Sequence, residues 1–408
     1  MPWLSCEDLP SRPIRKGRRG AATGEGNPEM KKKTWKPASL AAQALGWIDP
    51  VTKAVSPPIH MSSTFIRDPD NEYRSGYGYI RDENPAFNQV EALLTTLEGG
   101  AESMVFASGM SAATGVFLAL RPGDHVVVPN VMYWGLRSWL IQFARSWGLI
   151  VDLADCHDPS SLSAAVKPGK TKLVWIETPA NPMWGVTDIA RTAEIAHRAG
   201  AVLAVDSTVA TPVLTRPIAL GADLVMHSAT KYLNGHSDLS AGALITAAKS
   251  EIWERIGFNR NKLGTTLGSM EAWLLLRGMR SLFPRVERAC RSAQFIAEGL
   301  LGNPHVLEVL YPGLPGFAGH EIVKKQMAGG FGGMLSIRVK GGEAAAIAAA
   351  AGIELWKRAT SLGGTESLIE HRASVEGPDT PVPRDLLRLS VGLEDPGDLL
   401  ADLEAALR

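Results

Sequence analysis

Lys231 lies in Ser228-Ala229-Thr230-Lys231-Tyr232-Leu233-Asn234-Gly235-His236, a set of small hydroxyl residues that follows an apolar run. An ε-amine in such a setting can bond covalently to an aldehyde, so the chemistry it suggests is that of a cofactor held through lysine. The stretch also reads as a plain turn, with Lys231 solvated and Ser228 and Thr230 capping the chain. Its company decides between the two. Upstream, Ala201-Val202-Leu203-Ala204-Val205-Asp206 reads as a buried strand ending in a carboxylate, and an acid at a strand's carboxyl end faces a site in open α/β sheets. Further upstream, Ser103 to Ala107 reads as a strand that breaks at Ser108-Gly109-Met110-Ser111 into a helix expected to begin near Ala112. That turn offers backbone N–H groups to a phosphate, or serves as a simple cap.

An amine, a carboxylate and an anion cradle are together what pyridoxal 5′-phosphate needs. Lys231 would bond to the aldehyde, Asp206 would keep the pyridine nitrogen protonated, and Gly109 and Met110, with Ser228 and Thr230, would hold the phosphate. Further stretches keep a fixed order: Tyr79-Ile80-Arg81 with Asn84-Pro85, Ala107-Ser108-Gly109-Met110, Glu177-Thr178-Pro179-Ala180-Asn181-Pro182, Ser361-Leu362-Gly363-Gly364-Thr365-Glu366-Ser367-Leu368, and Arg388-Leu389-Ser390-Val391-Gly392. Through them and the Lys231 stretch the chain resembles the Cys/Met metabolism pyridoxal-phosphate enzymes, the cystathionine synthase and lyase family, from about Pro57 to Arg408.

The resemblance implies an α/β fold of type I, a mainly parallel sheet covered on both faces, followed by a smaller C-terminal α+β domain. It implies that Tyr133 stacks on the cofactor and shuttles protons, and that Arg388 binds the substrate α-carboxylate with Ser361 and Asn181 assisting. Tyr79 and Arg81 match a pair that reaches across a dimer interface to the phosphate, with Ile80 in place of the usual small hydroxyl residue. The assembly implied is a homotetramer, a dimer of dimers with shared active sites. Read bare, Tyr133 is a half-buried aromatic closing a loop, and Arg74 to Asp82 is a surface loop. Arg388, inside Leu386-Leu387-Arg388-Leu389, needs an anion in either reading: a ligand carboxylate, or an internal partner such as Glu394 or Asp395.

The elements that must position these residues follow from the pattern. Phe87, Val90, Leu93, Leu94 and Leu97 recur at helical spacing, and strands are expected at 103–107, 125–129, 173–177, 202–206 and 223–227, separated by helix-length segments. Such alternation predicts a parallel sheet with the site at its carboxyl ends. Beyond about Pro284, strands near 306–311, 333–339 and 386–391 predict the smaller domain. The expected organisation is a disordered basic tail over 1–33, an arm over 34–63, a large cofactor-binding domain over 64–283 and a small domain over 284–408. The tail carries eight Lys/Arg against four acids and no amphipathic pattern; a targeting peptide and a natural start at Met30 are the other readings of it.

The 408 residues carry 42 Lys and Arg against 42 Asp and Glu, which excludes the basic footprint of a nucleic-acid binder and leaves small molecules as partners. The longest apolar run, Ala344 to Ile353, is ten residues, too short for a membrane span. Cys6, Cys156 and Cys290 lie far apart, which suits a reducing, cytoplasmic setting. No metal-ligand spacing emerges around the nine histidines, so no metal is expected.

The chemistry expected is elimination or replacement at the γ carbon of a sulfur-containing or homoserine-derived amino acid, as in cystathionine γ-synthases and γ-lyases. Cystathionine β-lyase is the alternative; bacterial members of that kind carry tryptophan where this chain has Leu362, so the Ser361-Leu362-Gly363-Gly364 form resembles the γ-acting members. A regulator that binds the cofactor without turnover is the remote one, as 1–33 holds no helix-turn-helix. The chain departs from its family at several places: Thr360 stands where an acid precedes Ser361-Leu362-Gly363-Gly364 in cystathionine γ-enzymes, and Gly135 where methionine γ-lyases have cysteine. Ser207-Thr208-Val209 follows Asp206, Trp134 replaces a small residue, and Arg372 follows His371 where proline is usual. Arg372, if it faces the site, would select a polar or anionic tail. Homoserine esters, cystathionine, methionine and guanidinooxy analogues such as canavanine are the candidate substrates.

Overall fold

The computed structural model describes residues 35–377 and 380–408. The tail expected over 1–33 therefore lies outside the described residues. Among the described residues there are twelve strands, most of them apolar runs: β1 Glu102–Phe106, β2 His125–Pro129, β3 Ile150–Ala154, β4 Thr171–Glu177, β5 Val202–Asp206, β6 Leu224–His227, β7 Gly242–Thr246, β8 Val306–Leu310, β9 Met334–Val339, β10 Lys357–Arg358, β11 Leu368–His371 and β12 Leu386–Ser390. The first seven make one sheet in the order β1-β7-β6-β5-β4-β2-β3, and the last five a second in the order β10-β11-β12-β9-β8. In the first sheet β7 runs antiparallel to β1 and β6 while the remaining pairs are parallel. The carboxyl ends of β1, β2, β4, β5 and β6 consequently share one edge.

Successive residues of these strands enter different cores, as the two-residue period of a strand requires. Leu173, Trp175, Ala204, Leu224, Met226 and Leu244 pack with the helices Gly109–Leu118 and Glu251–Leu263. Their neighbours Val174, Ile176, Leu203 and Val205 pack on the other face against the helix Ile189–Arg198. Both faces are thus covered, and the central strands are apolar throughout.

The helix Pro85–Glu98 buries Phe87, Val90, Leu93, Leu94 and Leu97, as their spacing requires. Asn84 caps it by accepting from the N–H of Ala86 at 2.9 Å, and Gly99, at φ 73°, ends it in the left-handed region. The helix after β1 starts at Gly109, earlier than the expected Ala112, because the Ser108 hydroxyl accepts from the N–H of Ser111 at 3.0 Å.

In the second sheet Leu335, Ile337, Ile369, Leu387 and Leu389 pack on the helices Leu282–Gly299, Gly342–Gly352 and Pro396–Ala406. The alternate residues Ser336, Glu370 and Arg388 are aligned across β9, β11 and β12 and lie on the opposite face. The helix Leu282–Gly299 runs through position 284: Val286, Ala289 and Cys290 pack in the core of the first sheet's side, Ala293, Ile296 and Ala297 in that of the second. One rigid element therefore spans the junction expected there. Among the described residues no helix is long and apolar enough to cross a membrane.

Leu389 is fully buried next to Arg388. Leu389→Ala should lower the unfolding free energy by about 2–5 kcal/mol, measured by equilibrium denaturation; a loss below about 1 kcal/mol would contradict this packing.

Candidate active site

Two carboxylates end adjacent parallel strands, since Glu177 of β4 pairs in register with Asp206 of β5. Asp206 accepts from the Thr208 N–H at 3.0 Å and hydroxyl at 2.6 Å, and the Thr208 oxygen in turn accepts from the N–H of Ser228 at 2.8 Å. A short chain of bonds therefore ties the end of β5 to the turn that follows β6. Glu177 accepts from the N–H of Tyr133 at 2.7 Å and of Asn181 at 2.9 Å, fixing the loops after β2 and β4. Burial raises the Glu177 carboxyl to about 8, with the Asp206 charge adding to it. Burial also raises Asp206, against the opposing bonds from Thr208. A buried carboxyl of this kind gains most from a cationic partner, whose charge favours the ionised form.

Lys231 sits in the turn after β6, with its N–H donating to the Ser228 carbonyl at 3.0 Å and its ammonium nitrogen 2.9 Å from the Ser361 hydroxyl. Burial lowers its pKa to about 8, and the nearby Arg388 charge adds to the effect. Ser361 holds a φ of 115°, a strained value for a residue with a side chain, and its carbonyl accepts from Arg388 Nη2 at 2.9 Å. It thus links the lysine to the arginine.

Arg388 is buried, and its Nη1 donates to Asn181 Oδ1 at 3.2 Å. Its anion is Glu370, 2.6 Å from Nη2. Neither Glu394 nor Asp395 takes that place: Glu394 accepts from the N–H and hydroxyl of Ser367, both at 2.7 Å, and Asp395 caps the helix Pro396–Ala406. Burial raises the Glu370 carboxyl, yet Arg388, the Thr360 hydroxyl and Arg372 outweigh it and hold it below the ordinary glutamate range.

One cavity of about 300 Å³ gathers these groups. Gly109, Met110, Tyr133, Asn181, Asp206, Ser228, Thr230, Lys231, Ser361 and Arg388 all line it, as do Glu177, Thr360 and Arg372. At one end Gly109 opens its helix against Ser228, so closely that a Cβ there would lie 2.7 Å from the Ser228 hydroxyl. Tyr133 stands at the mouth, 45% exposed, with its ring folded over Gly135 so that a Cβ there would meet it at 2.9 Å. The Thr230 hydroxyl lines the cavity but is already bonded to the Ala241 carbonyl at 3.1 Å and N–H at 2.9 Å. Tyr79 and Arg81 do not line it: Tyr79 is 47% exposed, with the Arg81 guanidinium 5.4 Å from its ring centre.

The residues fit the cofactor that the sequence suggested. A desolvated lysine, a buried carboxyl ready for a cationic partner and a helix N-terminus cleared by glycine surround one space. The first N–H groups of a helix have no intrahelical acceptor and suit a phosphate. Among the described residues no group of three or more His, Cys, Asp or Glu side chains could hold a metal.

A model of the Cys/Met metabolism PLP-dependent enzymes matches residues 39–408. The cystathionine gamma-synthase of Mycobacterium tuberculosis is 44% identical over 377 residues, covering 91% of this chain and 96% of that protein. The crystal structure of metB from Corynebacterium glutamicum superposes with a TM-score of 0.88 at 40% identity, covering 92% of this chain and 98% of that one. A cystathionine gamma synthase from Xanthomonas oryzae in complex with cystathionine gives 0.87 at 39% identity, again covering 92% and 98%. The chain belongs to the Cys/Met metabolism PLP-dependent enzymes; its fold is the type I arrangement of that class, and its cofactor is pyridoxal 5′-phosphate.

Two outcomes test the site. Gly109→Ala should weaken cofactor binding by about tenfold or more, read by absorbance titration of the apoprotein, and unchanged affinity would contradict the close approach to Ser228. Because a neutral amine is the nucleophile and burial lowers Lys231 to about 8, the rate of cofactor capture should rise with pH and level off above about 8. A rate still climbing through the ordinary lysine range would place that amine in water.

Proposed function

We propose that the protein catalyses elimination or replacement at the γ carbon of a sulfur-containing or homoserine-derived amino acid, as a carbon–sulfur or carbon–oxygen lyase or transferase. The observation that carries this reading is the convergence of Lys231, Asp206, the Ser108–Met110 turn and Arg388 on one cavity, from four separate stretches of a chain in this family. When bound, the cofactor supplies an aldehyde for the amino group and an electron sink for the pair left at Cα.

In this reading the residues divide the work. Arg388, steadied by Asn181 and Ser361, receives the α-carboxylate and so orients the Cα–H bond toward Lys231. The Lys231 amine, which burial brings to half neutral only at about pH 8, takes the Cα proton, and the Ser361 hydroxyl 2.9 Å away holds it in line. A leaving group on Cγ requires a second proton to leave Cβ, and Lys231 and Tyr133 are the two groups at the cavity suited to carry protons. Asp206, bonded to Thr208, would hold the cofactor's ring nitrogen in its protonated form, and the N–H groups of Gly109 and Met110 with Ser228 and Thr230 would hold the phosphate.

Tyr79 and Arg81 complete the site of a second copy, in a homotetramer built as a dimer of dimers. Their exposure in one chain supports this, as do the exposed Val51, Val55 and Met61 of the arm and Ile66 just after it. The buried free thiols Cys156 and Cys290 suit a cytoplasmic setting.

A panel of γ-substituted amino acids should yield 2-oxobutanoate when supplied without cysteine, or a new thioether when cysteine is added. Pyruvate from cystathionine would establish the β-lyase alternative instead. Lys231→Ala should lose turnover by several orders of magnitude, and normal turnover would overturn the mechanism. Arg388→Ala should raise KM while the bound cofactor's spectrum stays intact; loss of cofactor would remove it from substrate binding.

A further inference from the structure

Four charged side chains meet beside the cavity in an arrangement that the mechanism above does not use. Glu370 Oε2 lies 2.6 Å from Arg388 Nη2 and also accepts from Arg372 Nη1 at 2.8 Å, so one oxygen serves two guanidinium groups. The other oxygen, Oε1, accepts from the Thr360 hydroxyl. Arg372 is held from its far side by Glu376 Oε1, to which it donates through Nη2 at 2.6 Å and Nε at 3.2 Å. Glu376 keeps a further donor in the Thr380 hydroxyl, at 2.6 Å. The side chains of Arg388, Glu370, Arg372 and Glu376 are 5, 7, 4 and 6% exposed, and their charges cancel.

Glu370 pairs with Arg388 Nη2, so it competes with an incoming α-carboxylate for that guanidinium. Exchanging one carboxylate for another at Arg388 strands a buried anion unless other donors remain beside it, and a stranded buried charge is strongly destabilising. Arg372 and Thr360 are such donors. We infer that Arg372, anchored by Glu376, is a positioning residue: it retains Glu370 when Arg388 exchanges that partner for the α-carboxylate of the substrate, and so sets how readily the site admits amino acids. The inference rests on Arg388 as the α-carboxylate receptor.

The test uses the holoenzyme and two probes that differ by a carboxylate, glycine and methylamine, each read by the change in visible absorbance on binding. Arg372→Leu should weaken glycine by about tenfold and leave methylamine within about twofold. Arg372→Lys should recover part of the loss, because one ammonium cannot fork to both glutamates. In Arg372→Leu/Glu370→Gln the competing charge is gone, and glycine should return to within about threefold of the parent. Equal weakening of both probes, or a double variant as weak as Arg372→Leu alone, overturns the positioning role. Should Arg372→Leu fail to fold, Glu370→Gln decides alone: glycine affinity equal to or tighter than the parent supports the inference, and about tenfold weakening overturns it. A parent enzyme that binds glycine no better than methylamine would instead overturn Arg388 as the carboxylate receptor, and this inference with it.

Discussion

The site depends on the removal of Lys231 from water. Its amine lies in a mostly buried cavity with Arg388 close by, and burial joined by a neighbouring positive charge brings it to about 8. A solvated lysine would be almost wholly protonated near neutral pH and unable to act as a nucleophile or base. The remainder of the site can be understood as what keeps that amine desolvated yet directed. Ser361, held at a strained φ, gives it a single hydrogen-bond partner while its own carbonyl meets the Arg388 guanidinium.

The same desolvation imposes a cost on every other charged group there, and the fold meets it by aligning partners across strands. Glu177 and Asp206 end neighbouring strands and are supplied with N–H and hydroxyl donors from the loops they fix. Arg388 and Glu370 face each other across β11 and β12, while Leu387 and Leu389 hold the intervening positions in the core. Because the pairs belong to the sheets, the position of the charges is set by strand register. The loops contribute donors, not the frame.

The parts legible in the sequence are those whose signal is local. A carboxylate ending an apolar run marks Asp206, a hydroxyl-rich turn after such a run marks Lys231, and a Ser-Gly break before a helix marks Gly109. Glu177 carried the same signal at the end of β4 and had no role assigned to it, because only its bonds to Tyr133 and Asn181 reveal what it organises. The need of Arg388 for an anion was legible; the identity of the anion was not. Glu394 and Asp395 are near in sequence, whereas Glu370 becomes a neighbour only when β11 pairs with β12. Strands β3, β7, β10 and β11 lie outside the expected set: Asp152 interrupts β3, Glu370 and His371 make up half of β11, β10 is the pair Lys357–Arg358, and the apolar part of β7 is only Ala243 to Ile245.

The departures from the family pattern acquire a common physical sense in the structure. Thr360 and Arg372, two positions read from the sequence as departures from the pattern the chain resembles, are both bonded to Glu370. At position 360 an acid would bring a second carboxylate beside Glu370, and at position 372 a proline would remove a guanidinium; either change alone would leave the cluster with excess negative charge. With Thr360 and Arg372 in place the four buried charges cancel. Gly135 belongs to a different constraint, since the Tyr133 ring lies where any side chain there would begin. The cavity wall is therefore constrained at two separate points, around the carboxylate cluster and at the aromatic mouth.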